Sequence, residues 1–231
     1  HIDGALSRAN AIDRRSPYQS HADSRRGLNA HDIHYFDVHL SELAQKLRYG
    51  TFGKLNVAII EAADVSDDGE ILLGAGVGMS PTVAQMADKI IIELNDKLPK
   101  TLYGLHDIYM PADPPYRREI PIYKASDRIG TPLLKVDPNK IVGVVYTSSD
   151  DGVHSFAAPD AVTTQIGANV TNFLIGELRA GRLPKEFLPM QSGVGNVANA
   201  VLFGLGESAE IPPFEMYTEV IQDAVVELME H

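Results

Sequence analysis

The sequence predicts an α/β fold: a mostly parallel sheet flanked by helices. Three observations carry this. Lys54 to Ala63 and Lys140 to Thr147 are short, near-continuous apolar runs rich in Val and Ile, the pattern of parallel strands buried on both faces. Segments with helical spacing separate the strand runs, and strands alternating with helices favour a parallel sheet. A glycine-rich turn, Gly74-Ala75-Gly76-Val77-Gly78, joins one strand to a helix start.

Taken in order, residues 5 to 31 are polar and Arg-rich (Arg8, Arg14, Arg15, Arg25, Arg26), with Ser16 to Ser20 as a turn or extended loop. This reads as a solvated surface; its functional reading is that Ser20 and an arginine face a carboxylate ligand. Ile33, Tyr35 and Phe36 suggest a short strand, and Leu40 to Leu47 carry apolar residues at helical spacing. After the strand Lys54–Ala63 and a polar turn comes a second strand, Glu70 to Leu73. Beyond the glycine turn, Ser80 is the expected N-cap with Pro81 at the first helical position, then a helix Thr82 to Lys89 and a strand Ile90 to Leu94. The turn fits neither the Gly-x-Gly-x-x-Gly spacing of dinucleotide sites nor the Gly-Lys-Ser/Thr of a P-loop. Pro99 to Pro138 is loop-rich, because its prolines break any long helix. Within it, His106-Asp107 reads as a structural hydrogen-bonding pair. His31, His34 and His39 match no metal-ligand spacing. An amphipathic helix from about Ala161 to Ala180 carries Ile166, Val170, Phe173, Leu174 and Leu178 on one face, with Gly181 at its C-cap.

Composition excludes several classes of function. The 231-residue chain has net charge −11 and a pI near 5.1, which argues against nucleic acid and anionic membranes as main partners. It has no cysteine, so disulfides, thiolate metal sites and a cysteine nucleophile are ruled out. No apolar run reaches the roughly 18 residues of a membrane span, and a cytoplasmic setting is the default expectation. The chain opens at His1 and stops at His231 inside an amphipathic pattern, which reads as a piece of a longer polypeptide.

The stretch from Leu188 to Asp223 carries the chemistry. Gly193-Val194-Gly195 opens an expected helix, and a short strand over Phe214 to Thr218 should end at Glu219. Backbone N–H groups at such a turn hold anions and developing negative charge. A carboxylate facing them can act as a nucleophile. Together they suggest acyl transfer through a covalent carboxylate intermediate. Each also has a plainer reading: Glu219 as a solvated strand-end charge, and the glycines as a helix start fixed by packing.

These residues resemble the acetyl-CoA hydrolase/transferase family, the class I CoA-transferases, which include succinyl-CoA:acetate and propionyl-CoA:succinate CoA-transferases. The resemblance is dense from Ser16-Pro17-Tyr18 onward. It includes Asn56 to Ala62, Lys89 to Glu93, Gly104 to Ile108 and Phe156 to Asp160. Most specific are Pro189-Met190-Gln191-Ser192-Gly193-Val194-Gly195-Asn196-Val197-Ala198-Asn199 and Tyr217-Thr218-Glu219-Val220-Ile221-Gln222-Asp223. The resemblance implies Glu219 as the nucleophile, and Gly193, Val194, Gly195, Asn196 and Val197 as the CoA-contacting loop. Ser20 falls where some relatives have a hydroxyl near the acyl group.

It further implies a CoA-transferase-like (NagB/RpiA-type) domain over 1–210 lacking its beginning, with 211–231 starting a truncated second α/β domain. No permanently bound cofactor is expected, since CoA and acyl-CoA are substrates. Acetate, propionate and succinate are the expected carboxylates, and the assembly a homodimer. Hydrolysis of acyl-CoA, or CoA binding without catalysis, remain the alternatives. Relatives often carry an arginine shortly before the Phe-Ala-x-Pro-Asp stretch, where it can clamp a substrate carboxylate; here that neighbourhood is Asp150, Asp151, Gly152, Val153 and His154. The family's usual glycine after Gln-Asp is Ala224.

Overall fold

A computed structural model of the chain describes residues 2–16, 21–150 and 158–230. They fall into two compact units: His1–Pro121 with Arg128–Gly152, and Ile122–Asp127 with Val153–His231. The boundary expected at 210 lies inside the second of these.

The first unit begins with helices α1 (Ile2–Arg8) and α2 (Ala22–Asn29), and a parallel pair of two-residue strands, β1 (Arg14–Arg15) and β2 (His34–Tyr35). Helix α3 (Leu40–Arg48) follows, ending in basic residues that suit its negative C-terminal pole. The main sheet comprises β3 (Val57–Val65), β4 (Glu70–Leu73), β5 (Lys89–Asn95), β6 (Leu134–Lys135) and β7 (Ile141–Thr147), in the order β6-β4-β3-β5-β7. The pairings of β3 with β5 and of β5 with β7 are parallel; β4 and β6 add an antiparallel edge. Helix α4 (Ser80–Met86) crosses between β4 and β5. The fold class is therefore as expected, with a mixed rather than wholly parallel sheet.

One face of this sheet builds the core. Ala58 and Ile60 of β3 stand in register with Ile90 and Ile92 of β5, and Ala62 with Leu73 of β4; these and Ile71 are all buried. The opposite face is covered only in part, by a small buried cluster of Ala63, Leu72 and Leu98. Val57 is 45% exposed, Ile59 55% and Val145 52%, so β3 and β7 are not buried on both sides as their apolar runs suggested. An unbroken Val/Ile run fixes the strand but not the number of covered faces.

Two local readings change at α4. Its cap is Met79, without a side-chain bond; Ser80 is already helical, its N–H turned back to the Val77 carbonyl. Pro81 occupies the first turn, where a missing N–H costs nothing. The His106-Asp107 pair also divides. The Asp107 carboxylate accepts from the N–H groups of Ile129 and Gly130 and fixes that loop. His106 Nε2 is buried without a hydrogen-bond partner among the described residues.

The second unit is helical: α5 (Ala161–Arg179), α6 (Asn196–Gly206) and α7 (Asp223–Glu230). Asp160 caps α5 through a reciprocal box with Thr163, holding the Asp160 carboxyl below the usual carboxylate range. At its other end, Gly181 adopts φ +68° and the Arg182 N–H reaches the Glu177 carbonyl. The buried face of α5 is Gly167, Thr171 and Ile175, and Phe173 is 65% exposed. The reason is close helix–helix contact. A Cβ on Gly167 would strike the Ala200 carbonyl, and one on Gly204 would lie 2.9 Å from Thr171 Oγ1. Small residues let the backbones of α5 and α6 meet, and that outranks the larger apolar side chains one step around the helix.

Candidate active site

Two segments of the second unit meet through hydrogen bonds. Met190 pairs with Met216 as an isolated parallel bridge: the Met190 N–H donates to the Glu215 carbonyl at 2.8 Å, and the Tyr217 N–H to the Met190 carbonyl at 2.9 Å. The strand expected over Phe214 to Thr218 is reduced to this bridge. Pro189 has no N–H to offer a ladder, and Pro212-Pro213 remove two more donors just upstream. Glu219 therefore sits in a bend rather than at a strand end.

Beyond the bridge two residues near Glu219, one before it and one three positions after it, grip the glycine turn. The Thr218 hydroxyl contacts the Ser192 carbonyl at 3.0 Å and accepts from the Ser192 N–H at 3.3 Å. Gln222 is 6% exposed. Its Nε2 donates to the Gly193 carbonyl at 2.7 Å, and its Oε1 accepts from the Gly195 N–H at 3.2 Å. An amide carries one donor end and one acceptor end, and both are used here. Gly195, the N-cap of α6, has φ 132° and ψ 172°, a conformation essentially confined to glycine. It provides no side-chain cap, so the first-turn N–H groups of α6 are not met from the cap position.

Each expected site residue can now be located. Gly193, Val194, Asn196 and Val197 are exposed, Gly195 is half-buried, and all belong to the turn or the first turn of α6. Glu219 is exposed, and its carboxylate has no hydrogen-bond or ion-pair partner among the described residues. Val194, Val197, Tyr217 and Ile221 are 47–66% exposed, so apolar surface flanks both segments. No Lys or Arg occurs between Leu188 and Asp223, so an anion at the turn would be met by backbone N–H groups. Ser20 lies outside the described residues, as do 151–157, where the carboxylate-clamping arginine was sought. Asp150 beside them is engaged by Lys97 at 3.1 Å. Among the described residues no three His, Asp or Glu side chains could jointly hold a metal. No helix among them is long and apolar enough to cross a membrane.

Thr218 and Gln222 carry no role in the sequence reading. The available signal was spacing: two polar residues four apart bracket Glu219 within an otherwise apolar stretch.

The chain belongs to the acetyl-CoA hydrolase/transferase family: the model of that family's N-terminal domain matches residues 1–146. Among its relatives, propanoyl-CoA:succinate CoA transferase of Escherichia coli is 45% identical over 228 residues, covering 99% of this chain and 46% of that protein. An acetyl-CoA hydrolase of Yarrowia lipolytica is 40% identical over 235 residues, covering 99% of this chain and 44% of that protein. The chain thus spans a little under half the length of these relatives. A solved structure of 4-hydroxybutyrate CoA-transferase from Porphyromonas gingivalis shares the fold, with a TM-score of 0.58 at 16% identity over 99% of this chain and 49% of that one.

Proposed function

We propose that this chain is part of an enzyme that moves CoA between an acyl-CoA and a small carboxylate through a glutamyl-CoA thioester at Glu219. The observation that carries this is the pair of side chains bracketing Glu219. Thr218 and Gln222 tie the carboxylate-bearing segment to the glycine turn, so the two most specific motifs form one unit.

The chemistry follows in balanced steps. The Glu219 carboxylate attacks the thioester carbonyl; the C–S bond breaks, leaving a mixed anhydride and CoA thiolate. The thiolate attacks the Glu219 carbonyl carbon, releasing the acyl group as a carboxylate and leaving a glutamyl-CoA thioester. An incoming carboxylate reverses these steps and leaves as the new acyl-CoA. Each attack builds an oxyanion, and the exposed N–H groups at the start of α6 are the donors we assign to it. Gly193, Val194, Gly195, Asn196 and Val197 form the CoA-facing loop in this reading, with Ser20 near the acyl group. Acetyl-, propionyl- or succinyl-CoA are the donors, and acetate, propionate or succinate the acceptors. We further propose a cytoplasmic homodimer, with no cofactor held permanently and 211–231 opening a second α/β domain of the longer polypeptide.

The relative named acetyl-CoA hydrolase favours a second reading in which water is the acceptor. One measurement separates the readings. The whole polypeptide is incubated with acetyl-CoA and its intact mass recorded beside Glu219→Ala. A gain of roughly the mass of CoA less one water, missing in the variant, is expected. Turnover should fall by at least about 10³-fold in the variant. Acetyl-CoA consumed at the same rate with or without added succinate or propionate would select hydrolysis. An adduct that persists in Glu219→Ala would remove Glu219 from the mechanism.

A further inference from the structure

The clamp on the glycine turn does more than hold two segments together. In an α-helix each N–H bonds the carbonyl four residues back. Were α6 to extend backwards by a turn, the Asn196 N–H would bond the Ser192 carbonyl and the Val197 N–H the Gly193 carbonyl. Gln222 occupies the second of these carbonyls, and the Thr218 hydroxyl, whose single proton is shared with the Val220 carbonyl at 3.2 Å, lies on the first. The first carbonyl that α6 does use is that of Gly195, taken by the Asn199 N–H at 3.0 Å. Gln222 also takes the Gly195 N–H, which turns that donor inward. Asn196 and Val197 are exposed, and their N–H groups bond no carbonyl among the described residues.

We propose that Gln222, assisted by Thr218, is a positioning residue that keeps the Ser192–Gly195 turn from coiling into α6 and so leaves the Asn196 and Val197 N–H groups free for a substrate oxyanion. The assignment rests on the CoA-transfer reading, because the oxyanion is that of the attack on the thioester or glutamyl carbonyl. It adds a division of labour to that reading. Glu219 forms the covalent bond, while Thr218 and Gln222 shape the donors that stabilise the charge. A buried amide suits this task better than a charged group. It supplies opposite hydrogen-bonding ends to a carbonyl and an N–H two residues apart without adding charge beside the reacting carboxylate.

The test uses the whole polypeptide with Gln222→Met and Gln222→Glu. Methionine fills the site but supplies no comparable donor or acceptor. Amide exchange at Asn196 and Val197 is the first readout, independent of activity. Both amides should exchange rapidly in the parent and be several-fold more protected in Gln222→Met, where the two carbonyls become available to them. Single-turnover formation of the CoA adduct is the second. Gln222→Met should slow it about 10- to 100-fold with KM for acetyl-CoA within about threefold, since removing one oxyanion donor costs about 10²–10³-fold. Gln222→Glu separates positioning from mere packing. Its protonated carboxyl reproduces the donor and acceptor ends; its ionised form sets a negative oxygen against the Gly193 carbonyl. Its rate relative to the parent should therefore climb as pH falls from about 8 to about 5.

Unchanged exchange in Gln222→Met would overturn the proposal, as would a parental adduct rate. Parallel losses in both variants at every pH, tracking a lowered Tm, would assign Gln222 to packing alone. If Glu219→Ala keeps its adduct while exchange responds to Gln222→Met, the clamp stands and the CoA-transfer reading is what fails.

Discussion

The chain has two glycine turns that open helices, and they are built differently. Gly74–Gly78 leads into α4, whose first turn carries buried Pro81 and Thr82. One first-turn N–H is absent at Pro81, and the Ser80 N–H already bonds the Val77 carbonyl. Thr82 Oγ1 receives an N–H of Arg48 at 3.2 Å, which anchors the helix to α3. Gly193–Gly195 leads into α6, whose first turn is exposed and whose upstream carbonyls are taken by Thr218 and Gln222. The first turn closes a scaffold; the second presents donors. A Gly-x-Gly spacing does not distinguish them, because the difference lies in side chains placed from 25 or more residues away.

Substitution at Gly195 should give the larger stability effect of the two turns. With φ at 132° and ψ at 172°, alanine there is strained by about 1–3 kcal/mol although its Cβ would meet nothing within 4 Å. Chemical denaturation of Gly195→Ala should show that loss, and the adduct rate should fall with it, because relaxing this residue moves the Asn196 and Val197 donors. Unchanged stability would mean the turn relaxes freely and is no more constrained than its counterpart.

The same contrast explains what could be seen in the sequence. The strands β3, β4, β5 and β7 and the helix α3 were legible because each carries its own apolar run or period; in β3, β4 and β5 burial follows it, whereas α3 and β7 have no buried residue. Helices α1 and α2 were not: they meet through polar contacts, Ser7 to Ser24 at 2.9 Å and Arg8 to Asp23 at 2.5 Å, that leave no apolar period. The buried face of α5 was not legible because backbone proximity to α6, which no side-chain pattern encodes, chose Gly167 and Thr171. At the site, Glu219 and the glycine turn were legible as motifs. The roles of Thr218 and Gln222 were not, since a side chain that bonds a distant backbone has no signature beyond its polarity.

Arg48 tests the scaffold half of the comparison. Its guanidinium holds both oxygens of Asp113, at 2.8 and 2.6 Å, as well as Thr82. The pairing keeps Asp113 below the usual carboxylate range and raises Arg48 further. A carboxyl with a depressed folded pKa stabilises in full above its unfolded value, about 3.9, and loses that contribution as pH falls through the folded pKa. Arg48→Met should therefore lower Tm by a few degrees near neutrality, with a gap from the parent that narrows as pH falls below about 3.9. The adduct rate at a temperature where both proteins are folded should stay within about twofold of the parent. A rate loss comparable to that of Gln222→Met would place α4 in the reaction.

The smallest effect is expected at Gly76, and it is the sharpest test of whether the two turns differ. Gly76 is exposed, its φ lies outside the left-handed range, and a Cβ there would meet nothing within 4 Å. Alanine restricts the unfolded chain without straining the folded one, so Gly76→Ala should leave stability within about 0.5 kcal/mol of the parent or slightly above it. Adduct formation should be unchanged, because α4 has a proline and a backbone-bonded amide where α6 has free donors. Substrate approaching this turn as closely as it approaches Gly193–Gly195 would be blocked by the added methyl. A drop in rate with stability intact would then be the result, and the contrast between the two turns would fail.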